Sequence, residues 1–262
     1  MSVGAGASAL LALIAACGGG ESRSRKEIRG PAGAGGGAAQ AAMKKLDPAT
    51  AGTITGTVRW EGPVPNRKSI DVSGNPDCQK TSHETIYEEF LVVDDHGGKP
   101  TLRNAFVSID TTDVYDAPAE PFVVDQVGCH YVPHVFAVQA NQKLKIKSSD
   151  PTLHNVHYIP TVNTDLEDNF AMAAGGPEKT RSFPSTDWVK FKCEVHPWMG
   201  AWCAVRSHPF FAVTGEEGTF TIKNVPPGTH KLVVKHERLG EQNVTVTVET
   251  GKTTTQDFTW KQ

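Results

Sequence analysis

The 262-residue chain is 38% hydrophobic and 8% aromatic, a composition that allows one or two domains with ordinary cores. Its net charge of −3 argues against a nucleic-acid partner, because that recognition rests on a strongly basic surface. The charge is uneven. Residues 18–46 carry six basic side chains against two acidic ones, so the remainder of the chain is mildly acidic.

In chain order, Ala5 to Ala16 is an apolar run too short to span a bilayer and of signal-peptide length. It ends in Leu13-Ile14-Ala15-Ala16-Cys17, which resembles a bacterial lipoprotein cleavage box. Residues 1–17 are therefore read as a lipoprotein-type signal with Cys17 lipidated. That implies an exported protein, in the periplasm or at the cell surface, held to a membrane by its N-terminal lipid. No Lys or Arg precedes the run, which leaves a plain alanine-rich tail as the alternative. Residues 18–47 are rich in Gly, Ala, Ser and charge without apolar periodicity, and are expected to form a flexible, disordered linker.

From Ala51 onward apolar residues recur with period two, and turn residues follow every eight to twelve positions. This is the pattern of an all-β protein. Ile54, Val58 and Trp60 share one strand face; Ala105, Val107 and Ile109 share another. Lys143 to Lys147 alternates lysine with Leu144 and Ile146, as a half-buried strand does. Val244, Val246 and Val248 alternate with Thr245 and Thr247. No segment after the linker carries a 3.6-residue stripe, so β-sandwiches are expected.

Two short segments carry chemistry. Leu153-His154-Asn155-Val156-His157 supplies imidazoles, and Cys193-Glu194-Val195-His196-Pro197-Trp198-Met199 supplies a thiolate, an imidazole and a thioether. Two His, one Cys and a weak axial Met are the donors of an electron-transfer copper site, whereas structural zinc prefers four strong ligands. Cys193 ends the strand-like run Trp188 to Lys192, so the sheet sets its direction. His196 lies past the strand end, and Pro197 restricts the turn that brings Met199 back. His154 and His157 lie three apart and face opposite sides of an extended strand.

Residues 117–206 resemble a cupredoxin, of the plastocyanin- and amicyanin-like blue-copper kind. The resemblance rests on the strand pair from Pro133 to Ile146, the ligand loop from Ser149 to His157 and the closing loop from Cys193 to Met199. It implies a Greek-key sandwich holding one mononuclear type 1 copper ion through His154, Cys193, His196 and Met199. It also implies that Asn155 hydrogen-bonds across to the Cys loop, and that His157 lies at the surface or behind the ligands. His196 would reach the surface inside an apolar patch of Pro197, Trp198 and Met172, and pass single electrons to a redox protein such as a c-type cytochrome.

Thr219 to Val234, with its Pro226-Pro227-Gly228 turn, resembles the hairpin of a carboxypeptidase regulatory-like (transthyretin-like) β-sandwich. Gly52 to Val58 and Leu102 to Ile109 resemble that family's first strands. The cupredoxin would then be inserted into this sandwich, built from residues 48–116 and 207–262; two domains in series is the alternative.

With Cys17 and Cys193 assigned, Cys78 and Cys129 remain as a pair, and in an exported chain they are expected to form a disulfide. Cys203 becomes a small buried side chain or a free thiol. A Cys193–Cys203 disulfide, and a second metal site of Cys129, His130 and His134, stay as alternatives. The expected function is single-electron transport rather than catalysis. A copper carrier without redox cycling and a structural surface lipoprotein are the competitors. The chain contains no His-x-His pair of the kind a multicopper oxidase or nitrite reductase needs.

Overall fold

The computed structural model describes residues 43–81 and 85–261. The signal-like segment, Cys17 and residues 18–42 of the linker lie outside the described residues. The rest is nearly all β, arranged mainly in four sheets of four to six strands.

Two sheets carry the segments His154–His157 and Cys193–Met199. One orders Lys179–Arg181, Leu144–Ser148, Phe122–Val127 and His130–Val132; the other orders Asp168–Met172, His154–Ile159, Asp187–Lys192, Gly200–Arg206 and Val135–Gln139. Their facing residues form one core that includes Tyr131, Phe136, Leu144, Ile146, Phe183 and Phe191. Leu144 and Ile146 are fully buried while the alternating lysines are not, as the period-two pattern requires.

The other two sheets draw strands from both ends of the chain. Phe106–Ile109 lies between Phe211–Val213 and Gly228–His236, with Gly240–Val248 beyond. Gly52–Glu61 pairs with Thr219–Val225 and Pro100–Leu102, and runs parallel to Thr253–Thr255 and Phe258–Lys261. The carbonyl of Gln256 crosses this long strand so closely that a Cβ at Gly56 would lie 1.8 Å from its oxygen. Only glycine fits there. A second core, with Ile54, Leu102, Val107, Phe220, Leu232 and Val234, fills the space between these sheets.

Two expectations are corrected. Thr219–Val225 and Gly228–His236 do not pair with each other. Val225-Pro226-Pro227-Gly228 is a corner that carries the chain from one sheet to the opposite one, with Gly228 at φ 138°. Proline cannot donate to a ladder, which suits a crossing better than a hairpin. The stretch from Ile70 to Ile86, assigned by sequence to the first part of the regulatory-like sandwich, packs elsewhere. Ile70, Val72, Cys78 and Ile86 join the core that includes Cys193 and Met199 instead. Cys78, on the short helix Pro76–Thr81, is disulfide-bonded to Cys129, which pins this excursion in place.

A third apolar cluster, Phe106, Val135 and Ala204 with Trp188, Trp202 and Phe211 against it, joins the two sandwiches. Beside it His134 hydrogen-bonds the Glu237 carboxylate, which also accepts Trp202 Nε1–H at 2.8 Å. Burial opposes protonation of His134, but the Glu237 contact and the charge of Glu89 outweigh it and hold the imidazole pKa above its usual value. The pair is sealed between sheets, and each buried polar side chain has the other as its partner.

Candidate metal centre

His154 opens the strand His154–Ile159, where its side chain points into the core and the next residue points out. Cys193 follows the strand Asp187–Lys192, and Gly200 opens the strand that returns. The connection is tight: Met199 N–H donates to His196 O at 2.9 Å, and Cys193 N–H to Met199 O at 3.1 Å. Strand Asp187–Lys192 pairs with both neighbours, so the two ligand segments lie side by side at one end of the sheet.

The result is a convergence of donor atoms. His154 Nδ1 lies 3.0 Å from His196 Nδ1, and Cys193 Sγ lies 3.8 Å from His196 Nδ1. All three residues offer ligand atoms within 4.8 Å of one another. A metal with bonds of roughly 2.0–2.3 Å to nitrogen and sulfur spans such separations. His154, Cys193, His196 and Met199 are 0%, 2%, 3% and 1% exposed, so the pocket is dry. The donor set of one thiolate and two imidazoles, with a thioether buried in the same loop, fits copper.

Electrostatics prepare these groups for a cation. Burial raises the Cys193 thiol pKa, but contact with His154 and N–H groups from Asn155, His196 and Val195 more than compensate, and the net shift is downward. Asn155 N–H and His196 N–H reach the sulfur at 3.3 and 3.4 Å. Burial and the neighbouring His154 charge lower the His196 pKa, which keeps that imidazole neutral and able to ligate. For His154, burial acts against protonation, yet the Asp150 carboxylate and the Cys193 thiolate lift its pKa to about 9. A metal cation would displace that proton from Nδ1 while Nε2–H stays on Asp150.

Asn155 ties the ligand segments together. Its Oδ1 accepts the Glu194 N–H at 3.2 Å, and its Nδ2 donates to Asn169 Oδ1 and Phe170 O. His157 faces outward and bridges Glu167 and Glu194, each at 2.7 Å. Trp198 is half-buried; its ring lies 5.2 Å from that of His196, and its Nε1–H donates to Cys129 O. The expected surface patch is corrected on two points. His196 is buried rather than exposed, and Met172, paired across the ladder with His154, is 2% exposed. The apolar side chains that reach solvent here are Leu153 and Val195, each immediately preceding a histidine ligand, together with Pro197. Cys203 is fully buried, and burial pushes its thiol pKa well above the usual range, so it is inert. Cys129 is committed to Cys78, which removes it from any site with His130 and His134.

Sequence reasoning missed Asp150. Its carboxylate is buried, accepts His154 Nε2–H at 2.8 Å, and accepts the N–H groups of Gly128 and Cys129 at 2.7 and 2.8 Å. Its place four residues before His154 does not by itself mark it, because the contact depends on the distant Gly128–Cys129 turn.

Residues 205–261 match the model of the carboxypeptidase regulatory-like domain. No curated protein sequence matches the chain. Among solved structures the chain is similar to a Cu-containing nitrite reductase from Thermus scotoductus SA-01, at 17% identity and TM-score 0.30 over 37% of this chain. It spans only 25% of the reductase. A Cu(I) amicyanin variant is similar at 16% identity and TM-score 0.31, over 38% of this chain and 98% of amicyanin. A purple cupredoxin from Nitrosopumilus maritimus is similar at 17% identity and TM-score 0.27, over 32% of this chain and 98% of its own.

Proposed function

We propose that the chain is a mononuclear type 1 copper protein that carries single electrons between exported redox partners, and that it is not an enzyme. The observation that carries this reading is the convergence of His154 Nδ1, His196 Nδ1 and Cys193 Sγ, with Met199 buried in the same seven-residue loop. Bound copper supplies a one-electron couple. The residues supply a rigid cage: two ligands leave strand ends, Asn155 braces the loop against the strand, and N–H groups hold the sulfur. Rigid ligands limit rearrangement between oxidation states. The near-complete burial of all four ligands favours passing electrons over handing on the ion, because a carrier's ligands must be reached by the acceptor.

Leu153, Val195 and Pro197 are the docking contacts in this reading, a small apolar surface suited to brief encounters with a redox protein such as a c-type cytochrome. The regulatory-like sandwich is the scaffold into which the copper module, residues 117–206, is inserted. Lipidation at Cys17 would hold the assembly to a membrane of the periplasm or cell surface; that part rests on the Leu13–Cys17 sequence alone.

The test is a titration of the full metal-free chain with Cu(II), followed by visible and electron paramagnetic resonance spectra. One equivalent is expected to produce an intense thiolate-to-copper band that ascorbate bleaches, and Cys193→Ser is expected to remove the band entirely. A colourless one-to-one complex would overturn the assignment.

A further inference from the structure

The copper ligand His154 has a second partner that the donor set itself does not require. Asp150 is 4% exposed, yet among the described residues no lysine or arginine pairs with its carboxylate. Three donors satisfy it instead: His154 Nε2–H and the N–H groups of Gly128 and Cys129. These two residues are the two-residue turn between Phe122–Val127 and His130–Val132, and both hold positive φ, 63° and 57°. Glycine adopts this conformation freely, but a cysteine does so at a cost. Cys129 is held in it by its bond to Cys78, by its N–H on Asp150 and by its carbonyl on Trp198 Nε1–H. The turn, the disulfide and the carboxylate thus form one unit behind the ligand. The ligand atoms of Cys129, Asp150 and His154 lie within 4.8 Å of one another, as do those of Cys78, Cys129 and His196.

We infer that Asp150 is the positioning residue of the copper site: it fixes the Nε2–H tautomer of His154, aims Nδ1 at the metal, and places a negative charge behind the ligand that favours the more highly charged Cu(II). The second clause rests on the copper reading; the first does not. A carboxylate accepting from the remote nitrogen of a ligand histidine orients the ring and makes it a stronger donor. Asn at this position keeps size and one acceptor while removing the charge; Glu keeps the charge but displaces it.

The experiment compares the native chain, Asp150→Asn and Asp150→Glu. In the metal-free chain, at a pH above the His154 pKa so that the ring is neutral, long-range nitrogen–proton NMR of His154 reads the tautomer. Native protein is expected to show Nε2 protonated in a strong hydrogen bond, and Asp150→Asn to lose that signature. In the copper-loaded chain, Asp150→Asn is expected to weaken Cu(II) binding relative to Cu(I) about tenfold. For a one-electron couple that is a rise in reduction potential of about 59 mV. Asp150→Glu should restore most of this shift. A His154 signal unchanged in Asp150→Asn overturns the positioning role whether or not copper binds. An unchanged potential in a blue, copper-loaded Asp150→Asn overturns the charge effect while leaving the copper assignment intact.

Discussion

Acidification from pH 6.5 to pH 4 is expected to cost the fold about 6 kcal/mol through two histidines remote from the metal centre, His208 and His236. Each is 1% exposed. Each accepts a backbone N–H at Nδ1, from Phe210 and Arg238 respectively, and buries an Nε2 that has no protein partner. A second proton would have to displace the donor at Nδ1 and charge a ring shut away from water. Burial accordingly lowers both pKa values to about 4; Arg206 adds to this at His208, and His134 and Arg238 do so at His236. The Ile109 backbone, Asp113 and Asp110 at His208, and Glu237 at His236, act the other way but are outweighed.

The sign follows from proton counts. The unfolded chain takes up protons near pH 6.5, whereas the folded chain resists until about 4. Stability is therefore complete above 6.5 and falls as pH drops through that window, by about 3 kcal/mol per histidine. His134, held above its usual pKa by Glu237, opposes part of this trend. At lower pH still, Asp187 joins. Burial disfavours its charge, but N–H groups of Val162 and Asn163, with the side chains of Thr161 and Asn163, hold its pKa well below normal. Its contribution is present above about pH 3.9 and lost below it. The check is urea unfolding of the native chain and of a His208→Asn/His236→Asn variant, in which asparagine keeps an acceptor. The variant should show a much flatter profile between pH 6.5 and 4; two parallel profiles would sink the account.

The second large effect concerns the disulfide. Cys78 and Cys129 are 51 residues apart, and closing a loop of that length stabilises a fold by about 4 kcal/mol in the chain-entropy treatment. Both cysteines are fully buried, and the bridge fastens the Ile70–Ile86 excursion to the turn whose N–H groups bind Asp150. Cys78→Ser/Cys129→Ser is expected to lower the free energy of unfolding by about that amount. Limited proteolysis should then cut first between residues 66 and 81. A loss below about 1 kcal/mol would mean that packing alone holds the excursion, since typical native bridges contribute more.

Much of the candidate metal site was legible because its chemistry is local. Cys193, His196 and Met199 occupy one seven-residue loop, and thiolate, imidazole and thioether together point to few metals. His154 was legible from its own loop, and the all-β class from period-two alternation, because side-chain direction along a strand depends only on residue parity. Asp150 was not legible. Nothing in Ser149-Asp150-Pro151 says that a turn twenty residues upstream will close over the carboxylate and supply two N–H groups. The burial of His196 and Met172 depended likewise on how loops from separate strands stack.

By itself, then, the amino-acid order determined which atoms are available to a metal and which segments run as strands, since both follow from side-chain chemistry and short-range geometry. Tertiary structure alone decided which strands share a sheet, that Val225–Gly228 is a corner, that Ile70–Ile86 packs beside the Cys193–Met199 loop, and which carboxylate stands behind His154. Those outcomes depend on contacts between residues far apart in sequence, where hydrogen-bond pairing and exclusion of water are settled by the whole fold.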